Sequence, residues 1–243
     1  MCQQAISLLL SDPLTYMSML AVLQRGSAVI LAADDEGVLI HEQKSKAYML
    51  AASSIERGRE LLESIPPCTL LLLHQQSLIP EAQRRFGLNY AHTCVQAVYF
   101  SRTVLALDSR LDIHPLDENH FDMVWQHYHD LVDAEYLRRR LREGALSGGF
   151  LRGELIGFVG EHEEGSIGLL EVLPEYRRQG FGTVLLSYEV NRFLQQGKLP
   201  FSQLVPQNEA SLRLHRRLGF CVGDRQVTWL FCADQDDKGV EQR

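Results

Sequence analysis

Nowhere in this chain do glycine, lysine and serine or threonine stand in succession, so no Walker-type loop is available to hold a nucleotide's terminal phosphates. A dinucleotide fingerprint is missing too, because the glycines at 180 and 182 are followed by Leu185 where a third glycine belongs. Every apolar run falls short of a membrane span, and no basic region precedes the first of them, so neither a spanning helix nor a secretory leader is expected. The five cysteines, Cys2, Cys68, Cys94, Cys221 and Cys232, are odd in number, scattered, and lack metal-ligand spacing. Reduced, mostly buried thiols in a cytoplasmic protein are expected. Positive charge is in deficit, Lys+Arg 24 against Asp+Glu 31 with a net charge of −7, which disfavours a general nucleic-acid-binding surface. What remains is a chain of 243 residues, 45% hydrophobic, long enough for one large or two small cores.

Against these absences stands one segment, Pro174-Glu175-Tyr176-Arg177-Arg178-Gln179-Gly180-Phe181-Gly182-Thr183. Before it, Ile167 to Leu173 reads as a buried strand; after it, Phe181, Val184, Leu185 and Tyr188 fall at helical spacing. Gly180 and Gly182 let the backbone turn tightly and let a phosphate approach without a Cβ in the way. The first amides of the following helix, at Gly180, Phe181 and Gly182, have no acceptor within it, and the helix dipole adds partial positive charge. Arg177 and Arg178 stand beside that pole and can neutralise a pyrophosphate, with Gln179 and Thr183 flanking the turn. A diphosphate-bearing cofactor is the expected ligand.

A second block, Asn208-Glu209-Ala210-Ser211-Leu212-Arg213-Leu214-His215-Arg216-Arg217-Leu218-Gly219-Phe220, has Asn208 as an N-cap, leucines as a buried stripe and Gly219 as a helix stop. Arg177-x-x-Gly180-x-Gly182 followed by this Asn-x-x-Ser block resembles the paired signatures of the GCN5-related N-acetyltransferases over roughly residues 110 to 233. A weaker likeness is to the glycine N-acyltransferase subgroup. The resemblance implies acetyl-CoA as co-substrate, no metal, and direct transfer of its acyl group to an amine. It further implies that backbone groups of Leu170 and Val172 meet the pantetheine arm and the thioester carbonyl, and that Asn208 and Ser211 contact the co-substrate. His215 stands where relatives carry the tyrosine that protonates the departing thiolate. Two readings of His215 stay open: an imidazole acid, or a helix-surface histidine.

The base is open as well. Some relatives place a glutamate eight residues before the motif's proline, and here that position is Ser166. Glu163 and Glu164 read as solvated turn residues. Glu171, flanked by apolar residues, is the weak choice, since burial raises a carboxyl pKa usefully, with a water chain as alternative. His114, His120, His127 and His129 could line an acceptor pocket, though a solvated helix with incidental histidines explains them better, and no pair has metal-ligand context.

The expected fold is α+β, a mixed sheet flanked by helices. In the second half, strands are expected at 111–115, 149–152, 155–161, 166–173, 201–205, 220–222 and 226–232, with helices at 118–127, 134–143, 181–195 and 208–218. The first half repeats this order faintly: strands at 28–33, 38–41 and 47–51, a helix at 54–64, a strand at 69–73, and Arg84-Arg85-Phe86-Gly87 echoing Arg216-Arg217-Leu218-Gly219. It is either a degenerate acetyltransferase-like copy or an unrelated α+β domain; Ala51-Ala52-Ser53-Ser54-Ile55 stands where its phosphate loop would be. The expected division is 1–105, a catalytic domain at 106–233, and a disordered tail at 234–243. Two functions of different class follow: an N-acetyltransferase acting on a primary amine of a small molecule or peptide, or an acyl-CoA-binding module without turnover. No nucleic-acid or membrane partner is expected, and the chain is expected to be a monomer or homodimer.

Overall fold

A computed structural model describes residues 2–128 and 133–232; His129 and the tail at 234–243 lie outside the described residues. The first half runs α1 (Cys2–Leu10), α2 (Met17–Gln24), β1 (Ala28–Ala33), β2 (Gly37–Glu42), β3 (Tyr48–Ala52), α3 (Ile55–Glu63), β4 (Leu70–Leu73), α4 (Ile79–Phe86) and β5 (Tyr90–Val98). The second runs β6 (Asp112–Pro115), α5 (Phe121–His127), α6 (Ala134–Arg142), β7 (Leu146–Leu151), β8 (Glu154–Glu161), β9 (Ile167–Val172), α7 (Phe181–Gln195), β10 (Phe201–Leu204), α8 (Glu209–Arg217) and β11 (Cys221–Phe231). From β1 and from β7 onward, the halves pass through the same order: three strands, helix, strand, helix, strand. Local signals set the helix ends. Ser54 and Asn208 cap α3 and α8 by accepting from the Arg57 and Ser211 amides at 3.2 and 3.0 Å, and Gly87 in the left-handed region ends α4.

The strands assemble into a seven-stranded sheet, β1-β2-β3-β4-β11-β5-β10, and a four-stranded sheet, β6-β7-β8-β9. Two strands in the larger sheet have changed sides. β11, from the second half, lies between β4 and β5, with Trp229 opposite Leu72 and His92. β5, from the first half, lies between β11 and β10, with Val95 opposite Leu204. The boundary near residue 105 is therefore a boundary in the sequence and not in the sheet.

Both faces of the larger sheet are covered. Ile40, Met49 and Leu72 pack against Ala5, Leu9, Met19 and Val22 of α1 and α2, while Leu39, Leu50, Leu71 and Leu73 pack against Leu61 and Leu62 of α3. A strand buried on both faces reads as a continuous apolar run, as Leu70–Leu73 does. In the second half, Leu185, Leu186, Val190 and Phe193 of α7 cover one face, and Val124, Leu137 and Leu141 of α5 and α6 cover the other.

Several expected boundaries shift. The strands at 220–222 and 226–232 are one strand, β11, whose register slips between Val222 and Gln226. β7 begins at Leu146 rather than Gly149, because pairing with β6 and β8 on both sides carries the glycines at 148 and 149 into the ladder. Helices α1 and α2 add to the expected elements; α2 has no side-chain cap at Tyr16, and packing against the sheet holds both helices.

Candidate functional site

β9 and β10 lie at the outer edges of the two sheets, and no ladder joins them. Their counterparts in the first half, β3 and β4, are closed into a parallel ladder with Met49 opposite Leu72. The opening coincides with a bulge. Between the Gly160–Gly168 and Phe158–Glu171 pairs, Leu169 and Leu170 together face Val159. Leu169 takes φ 50, a left-handed conformation that costs a leucine on the order of 1–3 kcal/mol. Burial of its side chain beside Phe158 and Leu146 offsets that strain. A bulge bends its strand and re-aims the groups beyond it. Here it leaves main-chain groups of Leu170 and Val172 on an open edge.

A cavity of about 910 Å³ follows this edge. Its walls come from β9, from Gln203 and Leu204 of β10, from Asn208, Ser211 and Leu214 at the start of α8, and from Tyr136 and Arg139 of α6. The other half of the molecule contributes Thr69 and His92, with Trp229 from the exchanged strand fixed to Gln203 by a 2.6 Å hydrogen bond.

The turn from β9 to α7 stands at one end. Arg178 and Gly180 have φ of 61 and 89, and Gly180 caps α7 without any side-chain hydrogen bond. The amides of Phe181 and Gly182 therefore open the helix with no side chain competing for them. Arg110 packs on the Phe181 ring at 5.0 Å and donates to the Gln179 carbonyl at 3.3 Å. Arg217 donates to Thr183 Oγ1 at 3.1 Å. A second cavity, of about 650 Å³, lies between turn and α8, lined by Arg178, Arg213 and Arg217 with Ala210 and Leu214.

Arg178, Arg213 and Arg217 thus converge beside the turn, and Arg177, expected there with Arg178, does not join them. Its Nε donates to the Val172 carbonyl at 2.9 Å and its Nη2 to Glu171 Oε1 at 3.0 Å, while Glu171 Oε1 also accepts the Val172 amide at 3.0 Å. This clasp ties off both main-chain groups of Val172. The Glu171 carboxylate lies in the cavity wall but is engaged there by Arg177 and the Val172 amide.

His215 departs from expectation in a different way. The residue is 3% exposed, with its ring against Phe220. Nδ1 faces the Ser211 carbonyl at 2.9 Å and Nε2 faces the Ser202 hydroxyl at 3.0 Å. Burial pushes its pKa down to about 4, against a weaker opposing effect of the Ser211 carbonyl. A neutral ring with a carbonyl at Nδ1 carries its proton there, so Nε2 accepts from Ser202 and has none to give a thiolate. The imidazole instead braces the α8 wall that presents Asn208 and Ser211.

Among the remaining candidates, Ser166, Glu163 and Glu164 lie in the cavity wall, not in open solvent as expected of the two glutamates, while the described histidines stand apart from it. Ser166 donates to Glu164, and Glu163 pairs with Arg139 at 2.8 Å. His114 stacks on Phe150, His120 bonds Asp117, and His127 bonds the Met123 carbonyl; none of the three lines the cavity. Tyr136 and His162, marked by no motif, meet in the cavity wall at 2.8 Å. They are far apart in sequence, and only the packing of α6 on the β8–β9 hairpin brings them together. Among the described residues no cluster of His, Cys, Asp and Glu is arranged to hold a metal ion.

Residues 144–230 match the family model described as FR47-like protein. A GCN5-related N-acetyltransferase-like protein from Streptococcus suis superposes with a TM-score of 0.53 at 13% identity, covering 94% of this chain and 100% of its own. A putative GNAT-family acetyltransferase from Novosphingobium aromaticivorans gives 0.52 at 16%, covering 91% and 96%. The chain has the GCN5-related N-acetyltransferase fold. A Drosophila protein superposes with a TM-score of 0.62 at 18% identity over 81% of this chain and 74% of its own. No curated protein sequence matches. Because the two bacterial acetyltransferase-fold structures cover more than nine-tenths of this chain, the first half has structural counterparts there as well. Within this fold, the arginine-glycine turn lies at the start of α7 and the Asn208 block at the start of α8, on two sides of one cavity.

Proposed function

We propose that this protein is an acyl-CoA-dependent N-acyltransferase that moves an acetyl or other acyl group onto a primary amine of a small molecule or peptide. The observation that carries this reading is the open β9 edge, which runs along a cavity into an uncapped helix start. An extended pantetheine arm adds to such an edge as a strand would, through the main-chain groups of Leu170 and Val172. Its pyrophosphate then meets the Gly180, Phe181 and Gly182 amides, with Gln179 and Thr183 beside them and Arg178 alongside. Arg213 and Arg217 extend the positive wall toward a further phosphate. Main-chain amides in the bulged strand face the thioester carbonyl and stabilise the charge that develops on its oxygen. Asn208 and Ser211 hold the arm from the far wall, and His215 keeps that wall in place through Ser202 and the Ser211 carbonyl. Five free thiols suit a reducing, cytoplasmic setting.

A non-catalytic acyl-CoA-binding module is the second reading, favoured by the buried, neutral His215 and the clasped Glu171. Calorimetry with acetyl-CoA, together with release of free thiol over a panel of amines, separates the two. Binding followed by thiol release with at least one amine is expected. Binding without release over every amine selects the module, and no binding at all removes both readings. Replacing Arg178 and Arg213 by alanine together is expected to weaken acetyl-CoA binding by about ten-fold, since these are exposed, solvent-screened charges.

A further inference from the structure

About 910 Å³ of cavity along β9 is more than an extended arm ending in an acetyl group fills; pockets of that size enclose a whole drug-sized ligand. The phosphate end has its own cavity of about 650 Å³ beside α8. The surplus lies across the gap between β9 and β10, on the face of the larger sheet that α1 and α2 cover farther along. Leu70, Cys94, Val205 and Trp229 pack in the core cluster built on Ala5, Leu9, Met19 and Val22, and the same four residues line the cavity. The core face thus runs out from under the helices and becomes cavity wall. Strand order β4-β11-β5-β10 and the register set the four in an oblique row, with Phe231 opposite Leu70, Trp229 opposite His92 and Val95 opposite Leu204. Diagonal neighbours on a sheet stand about 7–8 Å apart, within reach of large side chains, so the row forms a continuous apolar surface. Gln203 beside it accepts the Trp229 indole N–H at 2.6 Å, which fixes the ring.

The facing side has the opposite character. Asp133 and Arg139 from α6 line it with Glu163 and Glu164 of the hairpin, and Arg139 is paired with Glu163 at 2.8 Å. That side draws an ammonium and offers nothing to an alkyl chain. We propose that the acyl chain of the co-substrate is longer than acetyl and lies on the row of Leu70, Cys94, Val205 and Trp229, an inference that rests on the acyl-CoA reading above. With the arm along Leu170 and Val172, the thioester comes to the gap between the sheets, where Leu170 and Leu204 line the cavity from its two edges. From there the chain crosses onto Val205 and Cys94 and runs toward Trp229 and Leu70, while the amine arrives from the carboxylate side. Chain and acceptor reach the thioester carbon from different directions, so neither displaces the other. Each methylene taken out of water onto this row tightens binding by about four-fold.

Calorimetry on the full chain with acetyl-, butanoyl- and hexanoyl-CoA tests this without knowledge of the acceptor. Affinity is expected to rise along the series, with hexanoyl-CoA binding at least about ten-fold more tightly than acetyl-CoA. The heat-capacity change of binding is expected to grow more negative in the same order, the mark of apolar burial. Leu70→Trp narrows the row and is expected to bring the ratio of hexanoyl-CoA to acetyl-CoA affinity close to one. Trp229→Ala removes contacts from the row and is expected to lower the same ratio; it carries the variant test if Leu70→Trp does not fold. Equal affinity along the series, or an undiminished ratio in a folded variant, overturns the chain subsite and leaves acyl-CoA binding standing. No binding of any of the three thioesters overturns the acyl-CoA reading, and the subsite with it.

Discussion

His74 and His215 are both held neutral by burial, with pKa values pushed down to about 3 and about 4, but only His215 has hydrogen-bond partners. His74 meets the edge of the Tyr16 ring at 4.9 Å, and both of its ring nitrogens lack a partner among the described residues. Because each folded pKa lies below the ordinary 6.5, stability is full above that pH. It drains away as pH falls from 6.5 toward 4 and 3, where the unfolded chain binds protons that the folded chain refuses. The acid lability is on the order of 5 kcal/mol for His74 and on the order of 3 kcal/mol for His215. Thermal midpoints are therefore expected to fall steadily from neutral pH into that window. His74→Phe fills the same space without orphaned nitrogens; it is expected to hold or raise the midpoint at pH 7 and to flatten the acid slope. An unflattened slope would contradict the burial argument. His215→Phe should do the reverse at pH 7, lowering stability by about 1–3 kcal/mol because the Ser202 hydroxyl and Ser211 carbonyl lose their partner.

One bulge and one turn decide the site among the elements. The turn needs φ 89 at residue 180. Gly180→Ala is expected to cost about 1–2 kcal/mol of stability and, by moving the helix start, to weaken acetyl-CoA binding as well. Chemical denaturation and calorimetry check the two effects separately. The clasp of Glu171 and Arg177 on Val172 occupies the main-chain groups that a pantetheine arm would use, so it opposes binding until it opens. Glu171→Ala removes half of it, and tighter binding of acetyl-CoA is expected. Weaker binding would show that Glu171 serves the co-substrate directly.

Across the whole molecule, the exchange of β5 and β11 makes each half depend on the other. A fragment of residues 106–232 lacks β5, leaving Val95, Ala97 and Tyr99 missing from the cluster beneath α7 and α8. It is expected to be insoluble or aggregated alone, and soluble when co-expressed with residues 2–105; size-exclusion chromatography distinguishes these outcomes. A further tie crosses the same junction through Arg25, which Glu42 of its own half holds in place. Arg25 bonds the buried Glu42 at 3.1 Å and reaches the Glu163 carbonyl of the β8–β9 hairpin at 2.8 Å. The full chain should therefore unfold in one cooperative transition, with tryptophan fluorescence and far-UV circular dichroism coinciding. Two separate transitions would mean that the halves are coupled far less than their shared sheet requires.

By itself the sequence determined what depends on near neighbours along the chain. Glycines at 180 and 182 between an apolar strand and an amphipathic helix, Asn208 as a cap and Gly219 as a stop are local instructions, and the structure follows them at β9, α7 and α8. The echo of that order in the first half was legible for the same reason. Tertiary structure alone decided the rest, because it turns on partners remote in the chain. Whether β11 pairs within its own half or across it is a choice between apolar strands that look alike. The opening between β9 and β10 follows from the bulge at Leu169, which no residue type announces. Arg177 faces β9 rather than the turn because Val172 and Glu171 offer acceptors there, and His162 meets Tyr136 because α6 packs on the hairpin. Hydrogen bonds and packing over such separations have no periodicity to read, so they emerge only when the chain has closed on itself.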